Sequence, residues 1–168
     1  MPFEVETGTA SPTATSYSSV ADADEHIQAN HPTSDWVGLS QAEKEAKLNK
    51  ASRFLDTLLK WQSVVKDTSQ GLLWPRDDFT DKEGRTVASN TIPSVIKEAT
   101  IEFANELVHS RLSAEFDKLI QESFADTSDT YAAPKRVGGS DVVFDYQRQL
   151  VRLGYGRNAS VVVKIWRA

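Results

Sequence analysis

The stretch SQAEKEAKLNKASRFLDTLL, residues 40–59, decides the predicted fold. Ser40 and Glu43 match the S-x-x-E capping box, in which each residue satisfies a free backbone N–H of the other. Apolar side chains then recur at the helical spacing i, i+3, i+4, i+7 and i+8. This stripe consists of Ala51, Phe54, Leu55, Leu58 and Leu59. The pattern therefore predicts an amphipathic helix of about 20 residues that buries one face.

Further helices are predicted on both sides of this one. Ser18 or Ser19 can cap a short helix over Ala21–Asn30, which Pro32 ends because the residue before a proline avoids the α region. Pro93 begins another helix with the apolar stripe Ile96, Ala99, Phe103 and Leu107. Residues 113–124 either continue this helix or form a fourth. The expected fold class is mainly α, a three- or four-helix bundle over residues 20–124.

The remaining segments are predicted to be extended or irregular. Residues 1–19 are rich in Ser, Thr and Ala, and we expect an extended N-terminal arm. Residues 66–91 form a long loop that Leu72, Leu73 and Trp74 pin to the core. Residues 125–168 form a loop and a strand-like C-terminal tail. Its predicted parts are strands at 141–146 and 160–166, with a short helical turn over 147–153 and a turn over 154–158 between them.

The charge of the chain is unevenly distributed. The 168 residues carry a formal net charge of −5. Residues 1–42 contain six acidic side chains and no Lys or Arg, whereas residues 135–168 contain seven basic and two acidic side chains. A net negative charge argues against strong binding to duplex DNA, since that affinity comes mainly from cations that neutralise phosphates. The basic C-terminal tail is the one candidate for such contacts.

Residue types that carry chemistry are sparse. There are no cysteines, which excludes disulfides and thiolate metal sites, and no apolar run approaches the ~20 residues that cross a bilayer. His26, His31 and His109 lack a metal-binding spacing, and the acidic turn at 77–84 lacks the spacing of a calcium loop. The turn at 154–157 lacks the lysine of a phosphate loop. We therefore predict no catalytic residues, no metal, no cofactor and no enzymatic activity. The only feature of the sequence that would favour a hydrolase is its abundance of acidic residues.

Tryptophan and arginine side chains leave two interpretations open. Trp36, Trp61, Trp74 and Trp166, with Arg53, Arg76 and Arg167 nearby, could stack on unpaired bases. A place in the core is favoured for Trp61 and Trp74.

The terminal segment alternates apolar and basic residues, so it either pairs within its own subunit or docks on a partner as an added strand. The residues predicted to dock are Val161, Val163, Lys164, Ile165, Trp166 and Arg167.

Four motifs occur together in a recognisable order. They are ETGTA at 6–10, SYSSVADAD at 16–24, QGLLWPR at 70–76 and IPSVIKEA at 92–99, followed by IEFANEL at 101–107. In this order they resemble the head–tail connector (adaptor) proteins of tailed bacteriophages, over roughly residues 5–110. The loop motif centres on Trp74, Pro75 and Arg76. Some members of that family are labelled as similar to the single-stranded-DNA-binding protein DnaT, which is the alternative function.

The resemblance implies a structural role in the neck of a virion, assembled in the host cytoplasm. It implies a homo-oligomeric ring, commonly a dodecamer, that binds below the portal protein and extends the DNA channel. The ring would present a platform to a downstream neck or tail-completion protein, and DNA would pass through it without specific binding or any membrane contact. Candidate channel-facing acids are Glu98, Glu102 and Glu106, or the acidic loop Asp77–Glu83, because acids that face a lumen repel phosphate.

Overall fold

The computed structural model describes residues 2–108 and 141–158. Its helices are α1 (Val20–Asn30), α2 (Gln41–Leu58), α3 (Ser94–Glu106) and α4 (Asp141–Leu153), and a 3₁₀ turn covers Asp35–Gly38. Its strands are β1 (Leu59–Trp61), β2 (Val64–Val65), β3 (Arg76–Asp77), β4 (Phe79–Thr80), β5 (Thr86–Val87) and β6 (Gly156–Asn158). The strands pair as three two-stranded antiparallel sheets, β1 with β6, β2 with β3 and β4 with β5.

The predicted mainly α bundle is therefore wrong, and the described fold is a mixture of helices and small antiparallel sheets. The residues responsible lie in the segments predicted to be loop and tail. β3, β4 and β5 lie in the long loop, and β6 lies in the predicted turn at 154–158, where Gly156 pairs with Trp61 of β1. Pairing with distant strands satisfies backbone groups that a local reading of the sequence assigns to turns.

The helix decided by residues 40–59 is confirmed. Ser40 Oγ accepts the Glu43 N–H, and the Glu43 carboxylate accepts the Ser40 N–H at 2.8 Å, which completes the capping box. The predicted stripe of α2 is buried and packs on α3, where the Phe54 and Phe103 rings meet edge to face with centroids 5.8 Å apart. Burial of these two apolar faces against each other forms the centre of the core, and α1 packs against both helices.

The predicted strand at 141–146 is also wrong, because those residues belong to α4. Tyr146 and Leu150 are spaced i, i+4 on one face of this helix. Tyr146 packs edge to face on Phe103 of α3, with ring centroids 6.5 Å apart, and Leu150 is fully buried. The packing of this face on α3 overrides the strand propensity of the β-branched residues at the start of α4.

The N-terminal segment folds onto the rest of the protein and is not an extended arm. Val5 forms a parallel bridge with Ser16. The buried Glu6 carboxylate accepts four backbone N–H groups at 2.7–3.1 Å, from Gly8, Thr9, Ala10 and Ser11. One carboxylate thus organises a whole turn, which a reading of composition could not predict because it assigned these residues to flexible chain.

The long loop is pinned to the core by two of the three residues predicted to do so. Leu72 and Trp74 are buried, whereas Leu73 is 39% exposed. No helix in the described ranges is long and apolar enough to span a membrane. The predicted helical segment at 113–124 and the predicted strand at 160–166 lie outside the described residues.

Gly8 is where the N-terminal turn touches the segment that precedes α3. Its φ is +100°, and a Cβ there would lie 1.9 Å from the Asn90 carbonyl oxygen. Gly8→Ala should therefore lower the free energy of unfolding in urea by about 2 kcal/mol or more, through backbone strain and overlap. Gly38→Ala is the control, because no atom lies within 4 Å of its added Cβ. Equal effects of the two substitutions would contradict this account.

Candidate functional site

The W-P-R loop, residues 70–76, is the motif with the strongest claim to function. Trp74 is fully buried, and the Trp74–Pro75 peptide bond is cis. Three aromatic rings surround the Trp74 indole, with centroids 5.9 Å (Trp61), 5.4 Å (Phe79) and 5.6 Å (Tyr155) away. This enclosed indole has no face left for a nucleic-acid base.

Arg76 is also an interior residue, with 8% of its surface exposed. Its guanidinium donates three hydrogen bonds to backbone carbonyls: Nε to Gln62 at 2.7 Å, Nη1 to Leu73 at 2.9 Å and Nη2 to Ser63 at 2.5 Å. These bonds tie the loop to the turn between β1 and β2. Because its donors are engaged in this way, Arg76 serves the fold of the loop and is not presented to a phosphate.

A polar cluster joins the loop to α2 and to the N-terminal segment. The Tyr17 hydroxyl donates to Asp56 Oδ1 at 2.7 Å and accepts the Trp74 N–H at 3.1 Å. The Leu73 N–H donates to Asp56 Oδ2 at 3.1 Å. The Tyr17 N–H donates to Ser52 Oγ on α2 at 3.1 Å. Two of the motifs quoted above, at 16–24 and 70–76, therefore meet on the same carboxyl group.

The pKa of Asp56 in this cluster is unusual for a carboxylic acid. Desolvation raises the pKa of Asp56 to about 7, against the opposing effects of the Tyr17 and Leu73 hydrogen bonds and the Arg76 charge. Burial, with the nearby Asp56 charge, raises the pKa of Tyr17 well above its usual value. Tyr17 therefore remains a neutral hydroxyl at physiological pH, and Asp56 is the group of this pair that changes charge near neutrality.

The three candidate channel-facing acids of α3 have different surroundings. Glu98 and Glu106 are half-buried. Glu102 is buried, and its carboxylate meets His26 Nε2 at 2.7 Å and His31 Nε2 at 2.9 Å. It binds the C-terminal part of α1 to α3 and does not face solvent within the subunit. The sequence could not show this, because 76 residues separate Glu102 from His26.

Three other predicted features are the acidic turn, the absence of a metal site and the docking residues. The acidic turn is held by Asp81, whose carboxylate accepts the backbone N–H groups of Glu83 and Arg85, each at 2.9 Å, and pairs with the Arg85 guanidinium at 2.8 Å. Within residues 2–108 and 141–158, no three metal-binding side chains are placed to hold an ion. The predicted docking residues Val161, Val163, Lys164, Ile165, Trp166 and Arg167, like His109, lie outside the described residues.

Sequence reasoning missed Asp56, Glu6 and the His26–Glu102–His31 cluster. The one available signal for Asp56 was its position on α2 beside the buried stripe, where an acid needs hydrogen-bond partners. The sequence spacing of Glu6, His26, His31 and Glu102 gave no sign of these contacts.

The whole chain, residues 1–168, matches the model of one protein family, described as "Putative DnaT-like ssDNA binding protein". The chain belongs to this family. No curated protein and no solved structure matches it. The motifs at 6–10, 16–24 and 70–76 of this DnaT-like chain are those whose side chains build the interior contacts described above.

The buried Glu102 provides a test of this cluster. Glu102→Gln replaces the two acceptor oxygens that face His26 and His31 with one acceptor and one donor, so at least one of the two contacts must change its donor and acceptor roles. We expect the free energy of unfolding at pH 7 to fall by about 1–3 kcal/mol. Glu106→Gln, four residues along the same helix and half-buried, is the control and should change it by less than about 0.5 kcal/mol. A Glu102→Gln variant as stable as the wild type would show that the cluster does not hold α1 to α3.

Proposed function

We propose that this chain is a structural, non-enzymatic subunit of the head-to-tail connector of a tailed bacteriophage. In this role it forms a homo-oligomeric ring below the portal, extends the DNA channel and offers a platform to the next neck or tail protein. The observation that carries the proposal is the spatial convergence of the motifs on which the resemblance rests. These motifs are parts of one interior unit.

Three contacts define this convergence. The Trp74 N–H of the W-P-R loop donates to the Tyr17 hydroxyl of the SYSSVADAD motif. The Gly71 N–H of the same loop donates to the Ser11 carbonyl at 2.9 Å, directly after the ETGTA motif. Gly8 of that motif lies against Asn90, two residues before the IPSVIKEA motif. A shared order of motifs that also share one interior supports a shared fold with the connector family.

The surface charge also supports a channel component. Asp22 and Glu25 of α1 are exposed, as are Asp35 and Glu43 nearby, in a part of the chain that contains no Lys or Arg before Lys44, which pairs with Asp24. Acids that face a lumen repel phosphate, so DNA can slide past without binding. Because Glu102 is buried against two histidines, Glu98 and Glu106 are the two acids of α3 that remain candidates for the lumen.

Single-stranded-DNA binding is the second candidate, and the family description favours it. The residues first considered for it, Trp74 and Arg76, are both buried, and the Arg76 guanidinium donates three hydrogen bonds to backbone carbonyls. A binding site of this kind would therefore rely on the basic C-terminal tail, where Lys164, Trp166 and Arg167 combine charge with an aromatic ring.

Deletion of Val161–Ala168 tests the connector proposal. We expect the truncated chain to keep its helical circular dichroism and thermal transition and to lose attachment to purified portal rings, measured by native mass determination of the mixture.

A matched pair of double variants separates the role of the tail from that of charge. Lys164→Ala with Arg167→Ala should weaken assembly at low salt, whereas Arg53→Ala with Lys60→Ala, at exposed positions of the body, should not. Normal portal binding by the truncated chain would refute the docking role.

An oligonucleotide titration discriminates the second candidate. If the connector proposal holds, fluorescence anisotropy with a labelled single strand should show no binding tighter than about 1 μM near physiological salt. Tighter binding with a steep salt dependence would favour the DNA-binding function. Loss of that binding in the truncated chain would then place the site in the tail.

A further inference from the structure

We propose that a groove beside β4 receives the C-terminal segment, residues 159–168, of a second copy of this chain as an added β-strand. The proposal rests on the homo-oligomeric ring of the proposed function and names the contact that joins neighbouring copies. Three observations carry it: a free strand edge inside the groove, the place at which β6 ends, and the charges on the two sides of the contact.

The groove has a volume of about 390 Å³ and lies where three segments meet. Its walls are β4 with the residues that follow it, the turn at Gln62 and Ser63, and the two glycines after α4, Gly154 and Gly156. Ser63 and Asp78 on its wall both have a positive φ, +66° and +51°. Residues held in this conformation cluster at sites that bind ligands. The groove is therefore a candidate binding site.

The β4 strand has unpaired backbone groups along one edge. In the β4–β5 ladder, Phe79 pairs with Val87. Asp81 donates its N–H to the Arg85 carbonyl at 3.0 Å. Because hydrogen-bonded pairs alternate with non-hydrogen-bonded pairs in an antiparallel ladder, the N–H and C=O of Thr80 point away from β5. In the described part of the chain, neither group has a hydrogen-bond partner. An extended peptide can pair with such an edge.

This free edge faces the groove. Lys82, two residues after Thr80, donates its N–H to the Leu153 carbonyl at the end of α4, at 2.9 Å. Alternate residues of a strand direct their amides to the same side, so Thr80 is also directed toward the segment after α4. Thr80 is exposed and lines the groove. A strand that entered the groove would therefore meet the backbone groups of Thr80.

The place at which β6 ends favours a second copy as the occupant. Gly156 lines the groove and pairs with Trp61, whereas Asn158 pairs with Leu59, farther from the groove. The chain therefore runs away from its own groove as it leaves β6. Residues 159–168 extend to about 33 Å, which is comparable with the diameter of a small domain and sufficient to reach a neighbour. A contact of this heterologous kind closes into a ring.

Charges select the direction and register of the added strand. The Asp78 carboxylate is exposed and has no partner among the described residues. We expect an antiparallel strand with Val162 opposite Thr80, because this register brings Lys164 to Asp78. A parallel strand with the same central pair would bring Lys164 to Lys82, where like charges destabilise the pairing.

Disulfide cross-linking tests the contact in the full-length chain, which contains no cysteine of its own. Thr80→Cys and an affinity-tagged Val162→Cys chain are mixed and gently oxidised, and the heterodimer is quantified by mass spectrometry. We expect on the order of tenfold more heterodimer than Val37→Cys gives with the same partner. Val37 is the control because it is exposed and does not line the groove.

A heterodimer yield no higher than that of the control would overturn the proposal. A double variant, Thr80→Cys with Val162→Cys in one chain, shows whether the segment reaches its own groove. If this variant forms mainly an intramolecular disulfide, the occupant is the subunit's own segment and the second copy is excluded.

Removal of one charge gives a matched pair of variants. Asp78→Asn keeps a residue type that tolerates the left-handed backbone, and it should lower the cross-linking yield at low salt about two- to fivefold. Glu83→Gln, at an exposed acid of the same turn, should leave the yield unchanged. Equal effects of the two substitutions would overturn the register.

These measurements involve the chain alone, so they separate the contact from the connector role. Intact cross-linking without portal attachment would count against the connector role only. Normal portal attachment without cross-linking would count against this contact only.

Discussion

The enclosure of the Trp74 indole is the constraint on which the rest of the structure depends. Trp61 at the end of β1, Phe79 of β4 and Tyr155 just before β6 all contact this one ring. Edge-to-face aromatic pairs add about 0.5–1.5 kcal/mol each beyond the area they bury. Sheets of two or three residues per strand are too small to be stable alone. The aromatic cage supports two of these sheets, because Trp61 belongs to β1 and Phe79 to β4, and it joins them to the loop and to the segment after α4.

Around this cage the fold buries several charged or ionisable groups and satisfies each with specific partners. Arg76 donates to three carbonyls, Glu6 accepts four amides and Glu102 meets two histidines. A buried polar group left without a partner costs more than a satisfied one contributes, so each of these residues specifies one local arrangement of the backbone. The motif residues thus define the fold of the described part of the chain.

The interior position of the motif residues affects how membership of a DnaT-like family is interpreted. Aromatic and arginine residues in a motif are typical of single-stranded-DNA binding, and Trp74 with Arg76 meets that description by composition. In this chain both side chains face inward. The W-P-R loop of this chain therefore forms part of the interior, and its aromatic and arginine residues do not by themselves argue for DNA binding.

Local patterns in the sequence determined the start and body of α2, because a capping box and an i, i+3, i+4 stripe are both short-range features that survive packing. They did not determine its end, since Leu59 of the predicted stripe begins β1. They also determined α1, the body of α3 and the burial of Leu72 and Trp74. They did not determine α4, since residues 141–146 have strand propensity and become helical by packing Tyr146 and Leu150 on α3. Nor did they determine the small sheets, the folded N-terminal segment or the Tyr17–Asp56 cluster. The β1–β6 pairing and the Tyr17 contacts with Ser52 and Asp56 join residues 35 or more positions apart, and only tertiary structure decides which distant donor reaches which acceptor. The shorter-range sheets and the Glu6 turn depend on specific hydrogen bonds that composition and periodicity do not reveal.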